Sequence, residues 1–290
     1  MRTHYDKNDL GKSFAIAVAT MLLAQLVVSL LFKNVDAIDD VSFWLAQALY
    51  QILIGSAAFI YAATSKTKVT VATGMNRAPK LSHVGWGCLA VTFLVAFMLP
   101  VNEWLMQLIV KLGFPEPSVD LPLQVVPMIL VACVLPSFTE EIVFRGTVAK
   151  SVERIPDRLA GLAVSGGLFA LFHLNPAQTL HQFVLGAFLA LLVFRSGSVW
   201  TASLVHLFNN LLAVLLTFTL NDESVFCTYW YVFVPVGVTG FAASVYGYVK
   251  TTKSSWAQSE SVKTERYSTI VLAVSVLICV ALWIVNLVLK

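Results

Sequence analysis

The sequence predicts an all-α polytopic membrane protein, a bundle of about nine transmembrane helices. Three observations carry that prediction. Of 290 residues, 58% are hydrophobic and only 12% charged, about half the charged share of a soluble domain. The apolar residues collect into runs that approach or exceed the roughly 20 needed to cross a hydrocarbon core. The cations between those runs fall on alternate loops, as insertion into a membrane requires.

The runs occupy 13–32, 42–63, 82–99, 124–149, 159–174, 178–194, 198–219, 229–249 and 268–289. The first is longer than a signal-peptide core of 7–15 residues and reads as a retained helix. The fifth and sixth are short, and Asn175-Pro176 between them makes a tight turn. Within the outside stretch 101–123, Trp104, Leu105, Leu108 and Ile109 are expected to form a short interfacial helix. The polar stretch 250–267 reads as a linker that leaves the ninth helix peripheral.

With the N-terminus cytoplasmic, fifteen cations lie on inside segments, from Arg2, Lys7 and Lys12 through Lys66, Lys68, Arg77 and Lys80 to Lys263 and Arg266. Outside segments hold Lys33, Lys111 and Lys290, together with Asp36, Asp39, Asp40, Glu116, Asp120, Asp222 and Glu223. A multi-pass protein with a cytoplasmic N-terminus follows, in the plasma membrane of a prokaryote or the endoplasmic reticulum of a eukaryote. Its constant partner is the lipid bilayer. The net charge of +3 is spread over short loops, with no basic cluster among aromatics, so nucleic acid is not an expected partner. Cys88, Cys133, Cys227 and Cys279 form no Cys-x-x-Cys pair, and no disulfide framework is read from them.

Few strongly polar side chains lie inside the runs. In Pro136-Ser137-Phe138-Thr139-Glu140-Glu141-Ile142-Val143-Phe144-Arg145 two carboxylates and a cation stand at membrane depth, where an ionisable group costs several kcal/mol and marks a functional site. Glu141 and Arg145 are four apart and share a helix face, so they can pair. Glu140 points about 100° away and is left available for chemistry. Further on come Phe169-Ala170-Leu171-Phe172-His173 and His206-Leu207-Phe208-Asn209-Asn210. His206 and Asn210 share a face, and all these groups lie about 10–20 Å from the cytoplasmic ends of their helices. Taken singly, each has a plain structural reading: Glu141–Arg145 as an ion pair, His173 as a helix-end histidine, His206 and Asn210 as interhelical hydrogen-bond partners. His181 reads as interfacial, and His4 and His83 are assigned no role.

Taken together and in this order, Glu-Glu-x-x-x-Arg, Phe-x-x-x-His and His-x-x-x-Asn resemble the CAAX-protease and bacteriocin-processing (CPBP, or Abi) family, which includes the type II CAAX prenyl endopeptidases. The resemblance spans about 125–220. It implies a four-helix catalytic core and hydrolysis of a peptide bond in a lipidated or hydrophobic peptide substrate by glutamate-activated water. By motif position it makes Glu140 the general base, aided by His173, with Glu141 and Arg145 as the supporting pair. His206 and Asn210 match the residues proposed to stabilise the oxyanion. The corresponding division of the chain is 1–123 for N-terminal helices and an outside loop, 124–220 for the catalytic core and 221–290 for C-terminal helices.

No metal ligand is assigned. Two histidines and a glutamate could hold zinc with water in the fourth position, but the helical His-Glu-x-x-His pattern is absent. The cavity is expected to open at the cytoplasmic, Arg-rich ends of the catalytic helices. The alternative function is a non-catalytic peptide-binding or bacteriocin-immunity protein of the same fold. A transporter ranks below both, because no inverted repeat or broken helix pair is present.

Overall fold

The computed structural model describes residues 9–32, 40–115, 124–153, 155–219, 224–256 and 265–289. Several loop charges of the topology argument, among them Arg2, Lys33, Asp36, Asp39, Glu116, Asp120, Asp222, Glu223 and Lys290, lie outside these residues, as does His4. Within lipid a backbone must satisfy its own hydrogen bonds, and the described chain does so as helices: α1 (Asp9–Leu31), α2 (Asp40–Thr64), α3 (Val69–Ala72), α4 (Leu81–Lys111) and α5 (Val125–Val152). These are followed by α6 (Arg158–Phe172), α7 (Thr179–Ser196), α8 (Val199–Thr219), α9 (Ser224–Thr228), α10 (Trp230–Thr251) and α11 (Arg266–Leu289).

All nine apolar runs are helical. Eight are long enough to span a membrane. The exception is α6, whose 15 residues reach only about 22 Å. The expected separate interfacial helix is instead the end of α4. That helix continues through Pro100 for 31 residues, and Trp104 stacks edge-on against Trp230 at 5.5 Å. Prolonging α4 beside the start of α10 keeps the backbone hydrogen-bonded and covers one face of the extension.

Two apolar cores form side by side. One joins α1, α2, α5 and α6 around Phe14, Ile54, Val143, Phe144 and Phe169. The other joins α4, α8 and α10 around Leu94, Val205 and Tyr248. Helix α7 serves both, with Ala190 and Phe194 in the first and Leu189 and Leu192 in the second. Helices α4 and α10 run antiparallel in close contact, with Gly240 on the Phe93 ring and Gly247 on Trp86, the small-residue packing that membrane helices use.

The charges segregate along the bundle. Arg195 donates to the carbonyls of Val249 and Thr252 at 2.8 and 2.7 Å, Arg158 lies over Trp256, and Lys12 donates to Thr64 O. At this same end His83 is buried against the Tyr248 hydroxyl at 3.0 Å. Among the described residues Lys111 is the one cation at the opposite end, where Gln124 donates to Asp40.

Helix α11 is largely exposed on its outer face, as expected for the last helix, yet it is tied to the turn after α6. Asn286 Nδ2 donates to Leu174 O at 2.8 Å and Trp283 Nε1 to Thr179 Oγ1 at 2.9 Å. Leu174 holds a left-handed φ of 51°, a conformation that costs a non-glycine residue on the order of 1 kcal/mol or more.

Helices α6 and α7 approach closely because Gly166 has no Cβ; one would lie 2.5 Å from Phe183 O. Gly166→Ala is expected to push the pair apart at a cost of about 1–3 kcal/mol, read as a lower thermal unfolding midpoint of the detergent-solubilised protein.

Candidate active site

The polar residues lie along the seam between the two cores, and α5 carries the first of them. Its path is not a plain α-helix. Met128–Val134 and Phe144–Val148 are π-helical, an arrangement often found at functional sites. Pro136 follows the first π segment. In α-helical register a proline there would leave Ala132 O without its donor, and Asn210 Nδ2 of α8 lies 3.4 Å from that oxygen. Arg145 lies in the second π segment.

Arg145 is completely buried. Its NH1 donates to Glu141 Oε1 at 2.8 Å, its NH2 donates to Gly186 O at 3.1 Å, and its plane covers the Phe169 ring at 4.2 Å. The four-residue spacing therefore makes the expected pair. His206 Nδ1 is 2.9 Å from the same carboxylate oxygen; facing a carboxylate, this nitrogen carries the proton and donates. Glu141 thus joins α5 to α8, while Arg145 joins α5 to α7 and to the aromatic face of α6.

Glu140, one residue earlier, has a different environment. Gln51 Nε2 of α2 donates to its Oε1 at 3.2 Å. Gln51 is itself oriented by Thr139, whose hydroxyl lies 2.9 Å from Gln51 Oε1. The other oxygen, Glu140 Oε2, is 3.5 Å from His173 Nε2, an ion-pair distance, and accepts no hydrogen bond from the described residues. His173 lies at the end of α6. Its Nδ1 donates to Phe169 O at 2.8 Å, which directs Nε2 at Glu140. The Phe-x-x-x-His spacing accordingly does two things: the Phe169 carbonyl aims the imidazole, and its ring packs against both His173 and Arg145.

A cavity of about 270 Å³ has Asn210 in its wall, while Glu140, Glu141, His173 and His206 are not among the described residues that line it. Asn209, Asn210, His181 and Gln182 line its inner part, and Leu99, Asn102 and Phe226 its outer part. Two buried acceptors on this wall, Asn209 Oδ1 and Gln182 Oε1, receive no hydrogen bond from the described residues. His181 lines the cavity beside Asn209. A second cavity of about 200 Å³ shares Leu99, Asn102, Gln178 and Phe226 and adds Glu103, Met106 and Asn175. The passage leads to the end of the bundle where α4 stops and α7 begins. These cavities lie toward the end opposite the basic ends of the catalytic helices. The reason is the short α6: it stops inside the bundle, and irregular backbone at depth is tolerated where it borders a polar cavity.

Glu140, Glu141, Arg145, His173, His206 and Asn210 are thus gathered from three helices. Two further residues, Gln51 and His181, were not singled out from the sequence. Gln51 is the polar residue nearest the middle of the second apolar run, and that isolation was the available signal. Among the described residues no three His, Cys, Asp or Glu side chains are grouped to hold a metal ion, and His206 Nδ1 is already engaged by Glu141.

Fold and site together define a polytopic membrane protein with a buried carboxylate–histidine centre. Residues 122–212 match the family model described as Type II CAAX prenyl endopeptidase Rce1-like, so the resemblance drawn from the three motifs holds over the segment that contains them. The match supports a CAAX-type protease core there. No curated protein and no solved structure matches the chain.

The ion pair has a consequence for stability. Arg145→Met removes one partner of a fully buried pair and strands the Glu141 charge, an expected loss of about 3–5 kcal/mol. The check is the yield and thermal midpoint of the solubilised variant, both of which should fall.

Proposed function

We propose that the protein is an intramembrane endopeptidase that hydrolyses a peptide bond near the end of a lipidated, CAAX-type or otherwise hydrophobic peptide, using water activated by Glu140. The observation that carries this reading is the isolation of Glu140. Its neighbour Glu141 is committed to Arg145 and His206, whereas Glu140 Oε2 accepts no hydrogen bond from the described residues and has His173 Nε2 at 3.5 Å.

In this reading Glu140 accepts a proton from water as the water oxygen attacks the scissile carbonyl carbon. His173 is already protonated at Nδ1 by its bond to Phe169 O. Its Nε2 can therefore take the proton from Glu140 and pass it to the leaving amide nitrogen as the C–N bond breaks. The developing oxyanion needs donors. In this reading Asn210 supplies the amide hydrogen beyond that aimed at Ala132 O, and His206 supplies a second when both ring nitrogens are protonated, with Nδ1–H on Glu141 and Nε2–H on the oxyanion. The Arg145–Glu141–His206 chain fixes the imidazole, and the apolar cores on both sides exclude bulk water.

Purified protein in detergent with a fluorogenic farnesylated CAAX peptide provides the test. Glu140→Gln and His173→Ala should each lower kcat by about 10²–10⁴-fold, the usual contribution of general acid–base catalysis. Retention of proteolysis by Glu140→Gln would overturn the role of Glu140, whereas no cleavage by the wild type, with a cellular phenotype that survives Glu140→Gln, would favour a peptide-binding role. Gln51→Leu removes a hydrogen bond to a charged group, worth about 1.5–3 kcal/mol. It should lower kcat about tenfold to a hundredfold with little change in KM, because Gln51 orients the base and is not part of the cavity wall.

A further inference from the structure

The last helix reaches the turn beside His173. Helix α11 lies beyond the segment 122–212 that matches the family, and its attachment to the bundle is mainly apolar. Cys279 is buried in the first core, and Leu272, Val276 and Leu282 pack against that core. Trp283 and Asn286 add two polar groups, three residues apart and so on one face. Asn286 Nδ2 donates to Leu174 O at 2.8 Å, and Trp283 Nε1 donates to Thr179 Oγ1 at 2.9 Å. The Thr179 hydroxyl in turn donates to Asn175 O at 2.8 Å. These bonds hold the 174–179 turn at both of its ends. Ser275, also on α11, instead donates within its own helix, to Val271 O.

Hydrogen bonds between membrane helices often do no more than hold them together. Here the acceptor gives them a further part. Leu174 directly follows His173 and has a φ of 51°, a left-handed conformation that a residue with a Cβ keeps only where its surroundings fix it. Helix α6 closes at this point, with His173 N donating to Ala170 O and Leu174 N to Leu171 O, so the backbone that carries the imidazole is continuous with the turn. His173 Nδ1 lies 2.8 Å from Phe169 O and Nε2 3.5 Å from Glu140 Oε2. A return of Leu174 to the right-handed region would redirect the chain after His173 and shift both. We propose that Asn286, with Trp283, is a positioning residue for His173: by bonding the Leu174 carbonyl it keeps α6 ending at Phe172 and Nε2 directed at Glu140. The inference rests on the endopeptidase reading above and extends the machinery to a helix outside the matched segment.

The test is a double-mutant cycle on the full chain in detergent, with the farnesylated CAAX peptide. Asn286→Leu deletes the donor, nearly keeps the side-chain volume and suits lipid. It should lower kcat about tenfold to a hundredfold, the usual cost of a small misplacement of a reacting group, with KM and the thermal midpoint close to those of the wild type. In a His173→Ala background, read with enzyme in excess over peptide, Asn286→Leu should change the residual rate less than about twofold, because the group it positions is absent. Ser275→Ala, elsewhere on α11, should leave kcat unchanged. Trp283→Phe removes only the indole N–H and carries the same test should Asn286→Leu fail to fold; its kcat should fall about threefold or more, again only when His173 is present. A wild-type kcat in Asn286→Leu, an equal fall with and without His173, or a matching fall in Ser275→Ala overturns the positioning role and leaves the endopeptidase reading intact. No cleavage by the wild type overturns that reading, and the positioning role with it.

Discussion

A guanidinium with no exposed surface, Arg145, sets the constraint on which the rest of this bundle depends. A cation at membrane depth is expensive unless it is paired and hydrogen-bonded, and Arg145 has partners from three directions: Glu141 on its own helix, Gly186 O on α7 and the Phe169 ring on α6. Each partner restricts a helix. The Gly186 carbonyl must face α5, which holds α7 in place, and α6 must present an aromatic face. Through the shared oxygen of Glu141 the restriction extends to His206 and α8. The ion pair and its partners therefore tie α5, α6, α7 and α8 to one another.

The same constraint separates the two adjacent glutamates. Glu141 neutralises Arg145 and orients His206, so its charge is committed to structure. Glu140 is rotated away from that cluster and meets Gln51, His173 and the polar seam. A helix cannot aim two consecutive carboxylates at one point, and here the rotation turns Glu141 toward Arg145 and His206 and Glu140 toward Gln51 and His173, the geometry on which the proposed proton transfer rests. The π-helical segments before Pro136 and around Arg145 alter the local rotation of α5, so that both neighbourhoods are served by a single helix.

The truncated α6 places a turn beside the site. A full-length helix would fill the region now occupied by the Asn175-Pro176 turn, and His173 would lie mid-helix against its neighbours. Because α6 ends at Phe172, His173 stands at a helix end, its Nδ1 bonded back to the preceding turn, with a polar passage beyond it. The strained Leu174 is held by Asn286 of α11. A helix that is mostly exposed thus contributes to the geometry next to a proposed catalytic residue.

Most of the secondary structure was legible in the sequence, because apolar run length and loop charge are local properties that lipid insertion reads directly. The Glu141–Arg145 pair was legible for the same reason: a four-residue spacing on one helix decides it. So was the set of polar groups, since so few ionisable side chains interrupt the apolar runs. What the tertiary structure decided were the contacts between helices. Gln51 reaches Glu140 across 89 residues and His206 reaches Glu141 across 65, and no spacing rule links residues so far apart. The position of the two cavities depends on where α6 stops and on which walls α4 and α8 present. Local sequence determines which face of a helix is polar; only the packing of the helices determines which polar faces meet and at which end of the bundle the space between them opens.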